Sequence, residues 1–248
     1  MTIKAIRHRM GLAVRRFLGL PLQQFALERL QQAGFQPREM LDIGASDGVF
    51  TEEAWALWPD LSSHCFEPDP EYVTELHKKA ARDKRMHVCQ DLVGAKAAKS
   101  VTYYHHLGAS TVLPENRLHG TTSVIEANGP ERQCGMITLD DYCREKNIKP
   151  DFLKMDVQGY EMEVLRGAEK VLPGVEVILT EVNHIEVYAG APLAAELIGY
   201  LAERGYALHD VCNFNRRPLD EALWQTDMVF VRHSSKLRSR KSWEQSGS

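Results

Sequence analysis

The chain has 248 residues, 44% hydrophobic and 26% charged, enough for one sizeable α/β domain with short extensions and too few for two full ones. Its formal charge of −4 is unevenly placed: residues 1–20 hold five bases and no acid, residues 233–248 four bases and one acid, so the body between them carries −12. An acidic body is a poor match for a phosphate backbone, which argues against nucleic acid as a partner.

In chain order, Ile3, Ile6, Met10, Ala13 and Phe17 recur at spacings of three and four and predict a basic amphipathic helix ahead of Gly19-Leu20-Pro21. Such a helix suits packing on its own domain or on a second subunit of a homo-oligomer, and its bases also suit peripheral contact with a membrane surface. A second helix is expected near residues 23–33. The organisation expected is an N-terminal helical extension over 1–36, a core domain over 37–232 and a polar tail over 233–248.

From Met40 onward strands alternate with helices. Apolar runs place strands at 40–44, 63–67, 86–90, 152–157, 176–182, 207–211 and 228–232, and helices at 49–58, 70–82, 139–146, 159–172 and 193–204. This alternation predicts a Rossmann-like α/β fold, a mostly parallel sheet with helices on both faces. Its ligand crevice should lie beyond the carboxyl ends of the strands, where strand order reverses. Asp42, Glu67, Asp91, Asp156 and Glu181 all stand at or near such ends. Between Gly94 and Gly135 the alternation stops and Ser, Thr, His, Gly and Asn accumulate, as in a lid or substrate loop, with short strands such as 101–105 running through it. Cys65, Cys89, Cys134, Cys143 and Cys212 form no Cys-x-x-Cys pair, so neither a disulfide framework nor a zinc knuckle is expected. No run approaches the ~18 apolar residues of a membrane span or resembles a signal-peptide core, and the expectation is a soluble, cytoplasmic protein.

The most informative stretch is Leu-Asp-Ile-Gly-Ala-Ser-Asp-Gly, residues 41–48. An apolar strand ends there in an acid, Asp42, and the turn Gly44-Ala45 leads through Gly48 into a helix; the glycines let the backbone turn tightly and approach a ligand. Twenty-five positions beyond Asp42, Glu67 stands where a Rossmann-type sheet places the acid that binds ribose hydroxyls. The corner lacks the full Gly-x-Gly-x-x-Gly of dinucleotide sites, and Asp47 would repel a pyrophosphate. S-adenosylmethionine carries no phosphate. Asp42 suits attraction of its ammonium, directly or through water, and Asp91 acceptance from its adenine amino group.

At this point the sequence resembles the FkbM-type family of S-adenosylmethionine-dependent methyltransferases. The resemblance rests on residues 41–51, on Phe-Glu-Pro-Asp-Pro at 66–70, on Thr-Leu-Asp-Asp-Tyr at 138–142 and on Phe-Leu-Lys-Met-Asp-Val-Gln-Gly-Tyr-Glu at 152–161, which continues to Ala168. It implies a seven-stranded fold and methyl transfer to a hydroxyl oxygen, frequently on a sugar or a glycosylated natural product. It also implies that Asp42, Gly44, Gly48 and Glu67 belong to the cofactor site and that Asp156 and Glu161 belong to the active-site block. The family often has Asn where Ser46 stands, a change at the helix entry between two capping residues. It commonly has Glu followed by Gly-Ala where this chain has Gln158-Gly159-Tyr160, which removes an acid from any metal site.

Methyl transfer to a sugar hydroxyl calls for a base or a metal, because the hydroxyl is a weak acid. Asp156 would orient the hydroxyl or take its proton. His184, paired with Glu181, is the first candidate for general base, with His105, His106 and His119 as alternatives should the variable segment cover the site. Glu161 lies in the first turn of the following helix. Asp, Glu and His on one edge would also suit Mg²⁺, although nothing in the spacing requires it. Two other functions stay open at this point: a nucleic-acid methyltransferase, against which the acidic body counts, and a non-catalytic cofactor-binding protein docked on a partner or a membrane.

Overall fold

The computed structural model describes residues 22–105, 110–114 and 130–239; the basic helix expected over 3–17, His106, His119 and residues 240–248 lie outside them. The elements run β1 (Glu39–Ile43), β2 (Ser62–Phe66), β3 (Met86–Cys89), β4 (Leu92–Val93), β5 (Ala98–Tyr104), β6 (Glu131–Ile137), β7 (Phe152–Met155), β8 (Val177–Asn183), β9 (Tyr206–Arg216) and β10 (Leu223–Arg232). The helices are α1 (Gln23–Gln32), α2 (Val49–Leu57), α3 (Pro70–Ala80), α4 (Leu139–Lys146), α5 (Glu161–Arg166) and α6 (Ala194–Glu203).

Seven strands form one sheet in the order β3-β2-β1-β7-β8-β10-β9, parallel except that β10 runs antiparallel to both neighbours. The chain steps outward from β1 to β3 and then re-enters beside β1 as β7. Strand order therefore reverses between β1 and β7, and a crevice opens beyond their carboxyl ends.

Side-chain alternation divides the core. Met40 and Phe152 face α1 and α2, among Leu27, Leu30, Phe35 and Trp58, while Leu41, Ile43, Leu153 and Met155 face the opposite layer with Tyr142, Leu165 and Leu201. The fully buried Phe152 ring meets Phe35 and Trp58 edge-on at centroid distances of 5.6 and 6.1 Å, so Phe152→Ala would cost about 3–5 kcal/mol.

Several elements differ from expectation. Leu27 and Leu30 of α1 are part of the same core as Met40 of β1 and Phe152 of β7. The polar tail docks at its start: Ser235 Oγ donates to Glu176 at 2.6 Å, and Leu237 packs on the core. The segment around Gly94–Gly135 contributes a second, three-stranded sheet in the order β4-β6-β5. The helix expected over 159–172 closes at Arg166. The Asp140 carboxylate captures the Lys170 and Val171 N–H groups, and a Cβ on Gly167 would lie 2.1 Å from the Gly94 carbonyl oxygen, so the chain leaves the helix to pass against the end of β4. The five cysteines are free thiols, and among the described residues no helix is long and apolar enough to cross a membrane.

Candidate active site

A cleft of about 710 Å³, counting its open mouth, lies at the switch point between β1 and β7. One half is walled by Gly44, Ser46, Glu67, Tyr72 and Asp91, the other by Tyr103, Ser110, Thr111, Asp156, Gln158 and Tyr160. Its acids are Glu67, Asp91 and Asp156, and no Lys, Arg or His lines it among the described residues. A pyrophosphate would find no counter-charge here; a ligand bearing an ammonium and a sulfonium, such as S-adenosylmethionine, would.

The first half is built on glycine and backbone. Gly44 has φ +76°, and a Cβ there would sit 1.9 Å from the Asp156 carbonyl oxygen, so only glycine lets the turn cross the end of β7. Ser46 is also left-handed, φ 49°, and donates its N–H to Glu67 Oε2 at 2.8 Å. It is therefore not the helix cap. Gly48 is the N-cap of α2, and Asp47 Oδ1 accepts from Val49 N at 3.2 Å. The Ser46 position asks for tolerance of positive φ, which explains why asparagine would suit it. Glu67 Oε1 accepts from Asp69 N at 3.0 Å, so both carboxylate oxygens already meet backbone N–H groups, while burial pushes the acid up to about 7.

Asp42 stands behind this wall and not on it. It is fully buried, its Oδ2 accepting from Thr51 Oγ1 at 2.7 Å and its Oδ1 3.0 Å from Lys154 Nζ, its cross-strand neighbour. Lys154 also donates to the Gly44 carbonyl at 2.8 Å. Burial lowers the affinity of the Lys154 ammonium for its proton, but the Asp42 and Asp156 carboxylates outweigh burial and hold it above the ordinary lysine value. Direct attraction of a ligand ammonium by Asp42 gives way to a structural reading: the ion pair fixes the Gly44 turn. Lys154 was missed as a site residue although Phe-Leu-Lys-Met carries the signal, since a lysine inside a doubly covered strand must find an acid.

Behind the second half runs a row of acids across β7, β8 and β10: Asp156 lines the cleft, whereas Glu181 and Asp227 do not. Asp156 Oδ1 accepts from Gln158 Nε2 at 2.8 Å, and the same amide lies 3.5 Å from Glu181 Oε2. Glu181 pairs in register with Asp227, which accepts from Asn213 Nδ2 at 2.6 Å. Glu181 Oε1 is buried without a hydrogen-bond partner among the described residues. Burial, then Asp156, Glu161 and Asp227, hold Glu181 well above the usual carboxylate range; burial and Asp156 push Asp227 up to about 7. Asp227 was not singled out from the sequence, and Gln158 only as the loss of an acid from a metal site. Glu161, also raised by burial to about 7, lies off the cleft wall and accepts from the Val157 and Gly159 N–H groups at 3.1 and 3.3 Å, closing the loop beneath Gln158.

His184 does not join this row. Strand alternation sends it away from Glu181, and its Nε2 lies 2.9 Å from Thr226 Oγ1. The expected Glu181–His184 pair is absent among the described contacts, and burial lowers the His184 pKa. His105 sits beside the cleft with its Nδ1 2.6 Å from the buried Asp69, which also holds Arg132 at 3.1 Å and caps α3. Ala45 is buried under α3, and Asp91 fills space left by Gly135, where a Cβ would come within 2.4 Å of its Oδ1. Among the described residues no group of three or more His, Cys, Asp or Glu is arranged to hold a metal ion, so the Mg²⁺ expectation has no ligand set there.

The family model described as Methyltransferase FkbM domain matches residues 42–208. A protein named 2-O-methyltransferase NoeI, from Sinorhizobium fredii, is 28% identical over 169 residues, covering 64% of this chain and 69% of that protein. A protein named Methyltransferase 1, from Beauveria bassiana, is 30% identical over 148 residues, 52% of this chain and 58% of its own length. Among solved structures, magnesium protoporphyrin IX methyltransferase from Synechocystis PCC 6803 with bound SAM superposes with a TM-score of 0.48 at 9% identity, covering 84% of this chain and 79% of that one.

Proposed function

Since the chain belongs to the FkbM methyltransferase family of S-adenosylmethionine-dependent enzymes, we propose that it methylates a hydroxyl oxygen of a sugar, glycan or glycosylated natural product. The observation that carries this reading is the cleft wall at the switch point, with three carboxylates and no basic side chain among the described residues. Bound there, S-adenosylmethionine supplies an electrophilic methyl carbon on a cationic sulfur. Glu67 would accept the ribose hydroxyls and Asp91 the adenine amino group, on a wall kept close by Gly44. Ser110 and Thr111 would give a hydroxylated acceptor polar partners, and the 2-O-methyltransferase relative supports oxygen as the methylated atom.

Asp156 is the acid on the wall nearest the acceptor half, and its carboxylate would take the hydroxyl proton. The test is incubation with methyl-labelled S-adenosylmethionine and a panel of methyl glycosides, with transfer RNA and a peptide as controls, followed by mass spectrometry of the products. Label on a sugar oxygen, cut about 100-fold in Asp156→Asn with little change in cofactor affinity, is the expected result. Label only on RNA or on a nitrogen of the peptide would overturn it.

A further inference from the structure

Gln158 is held more firmly than a wall residue needs. It occupies the left-handed region, φ 52°, immediately before Gly159 at φ +94°, a conformation that ordinarily selects glycine. Its carbonyl accepts from Thr111 Oγ1 at 2.8 Å, and its side-chain Oε1 accepts from Tyr188 OH at 2.7 Å. With Oε1 committed to Tyr188, Nε2 must face the acids, where it donates to Asp156 Oδ1. The amide therefore has one orientation, and it occupies one of the two oxygens of the proposed base.

Resting on the methyl-transfer reading above, we infer that Gln158 is a positioning residue: its amide, locked by Tyr188, pins Asp156 Oδ1 and turns Oδ2 toward the acceptor hydroxyl. A glutamine placed there for backbone reasons alone would be replaced by glycine at no loss, since glycine relieves the left-handed strain and keeps the carbonyl bond to Thr111. Side-chain duty is what glycine cannot supply.

Gln158→Gly separates the two. The expected result is a Tm within a few degrees of the wild type, relief of left-handed strain offsetting part of the lost Tyr188 hydrogen bond, affinity for S-adenosylhomocysteine by calorimetry within about twofold, and kcat on the best methyl glycoside reduced about tenfold or more, with Tyr188→Phe reduced less. Unchanged kcat, or affinity for S-adenosylhomocysteine lost together with kcat, overturns the inference. A measurement without turnover stands beside it: in ¹⁵N-labelled protein the Gln158 side-chain amide protons should exchange about tenfold more slowly than those of the exposed Gln32 and Gln90, and lose that protection in Tyr188→Phe. Equal exchange overturns the inference whatever the ligand. Absence of S-adenosylhomocysteine binding by the wild type counts against the methyl-transfer reading, and the exchange measurement still decides whether Tyr188 locks the amide.

Discussion

At the β1–β2 end of the cleft each carboxylate oxygen of Glu67 meets a backbone N–H, whereas behind its β7 end burial and the Asp156 charge raise the hold of Glu181 and Asp227 on their protons, and Glu181 Oε1 meets no partner among the described residues. The first arrangement is rigid and complete, as a site for an invariable ligand should be. The second leaves polar capacity unspent beside a strained loop, as a site for chemistry does. Lys154 joins the two, since it neutralises Asp42 and fixes the Gly44 turn on one side while facing the charge of Asp156 on the other.

Removing that link should have the largest effect. Lys154→Met leaves Asp42 buried without its counter-charge and is expected to cost about 3–5 kcal/mol, roughly 6–20 °C in Tm, with much of the loss recovered in the double variant with Asp42→Asn. Denaturant unfolding checks this; a cost under about 1 kcal/mol would show that the pair does not carry the turn.

Next in size is the response to pH. Burial raises Glu67, Glu161 and Asp227 to about 7 in the folded protein, so each keeps its proton where the unfolded chain has lost it. Their contribution to stability is complete below the unfolded values near 4 and is lost as pH rises through about 7. Unfolding free energies should fall from pH 5 to pH 8 by a few kcal/mol, and Asp227→Asn should flatten part of that slope. A slope unchanged in the variant would place the titration elsewhere.

Glu67→Gln sharpens the contrast from the cofactor side. It is expected to weaken S-adenosylhomocysteine binding about 10–100-fold, and the wild-type affinity should rise as pH passes about 7 and the carboxylate ionises, a rise absent in the variant. The smallest effect belongs to His184→Ala. Because the imidazole points to Thr226, turnover should stay within about twofold of the wild type, and a large loss would return the histidine to the list of bases.

The sheet was legible because apolar runs, five of them with an acid at or near the end, and the intervening helices obey period and composition. The Gly44 corner and Glu67 were legible for the same reason. Of the second sheet only β5 was legible, as the short strand expected over 101–105; β6 was not, since it is half exposed and mixes Glu, Arg and Gln with Cys, Met and Ile. The two roles most changed, Asp42 and His184, turn on which face a side chain takes. One residue of register sends Asp42 behind the wall toward Lys154 and His184 away from Glu181. Gln158 was invisible as a positioning residue because its effect depends on Tyr188, thirty residues away.

Calorimetric titration of the purified protein with S-adenosylhomocysteine and, separately, with NAD tests the central claim, that an acid-lined cleft at the β1–β7 switch point holds a cationic adenosyl cofactor. The expected result is binding of the first, weakened in Glu67→Gln, and none of the second. Binding of NAD with no heat from S-adenosylhomocysteine would contradict it.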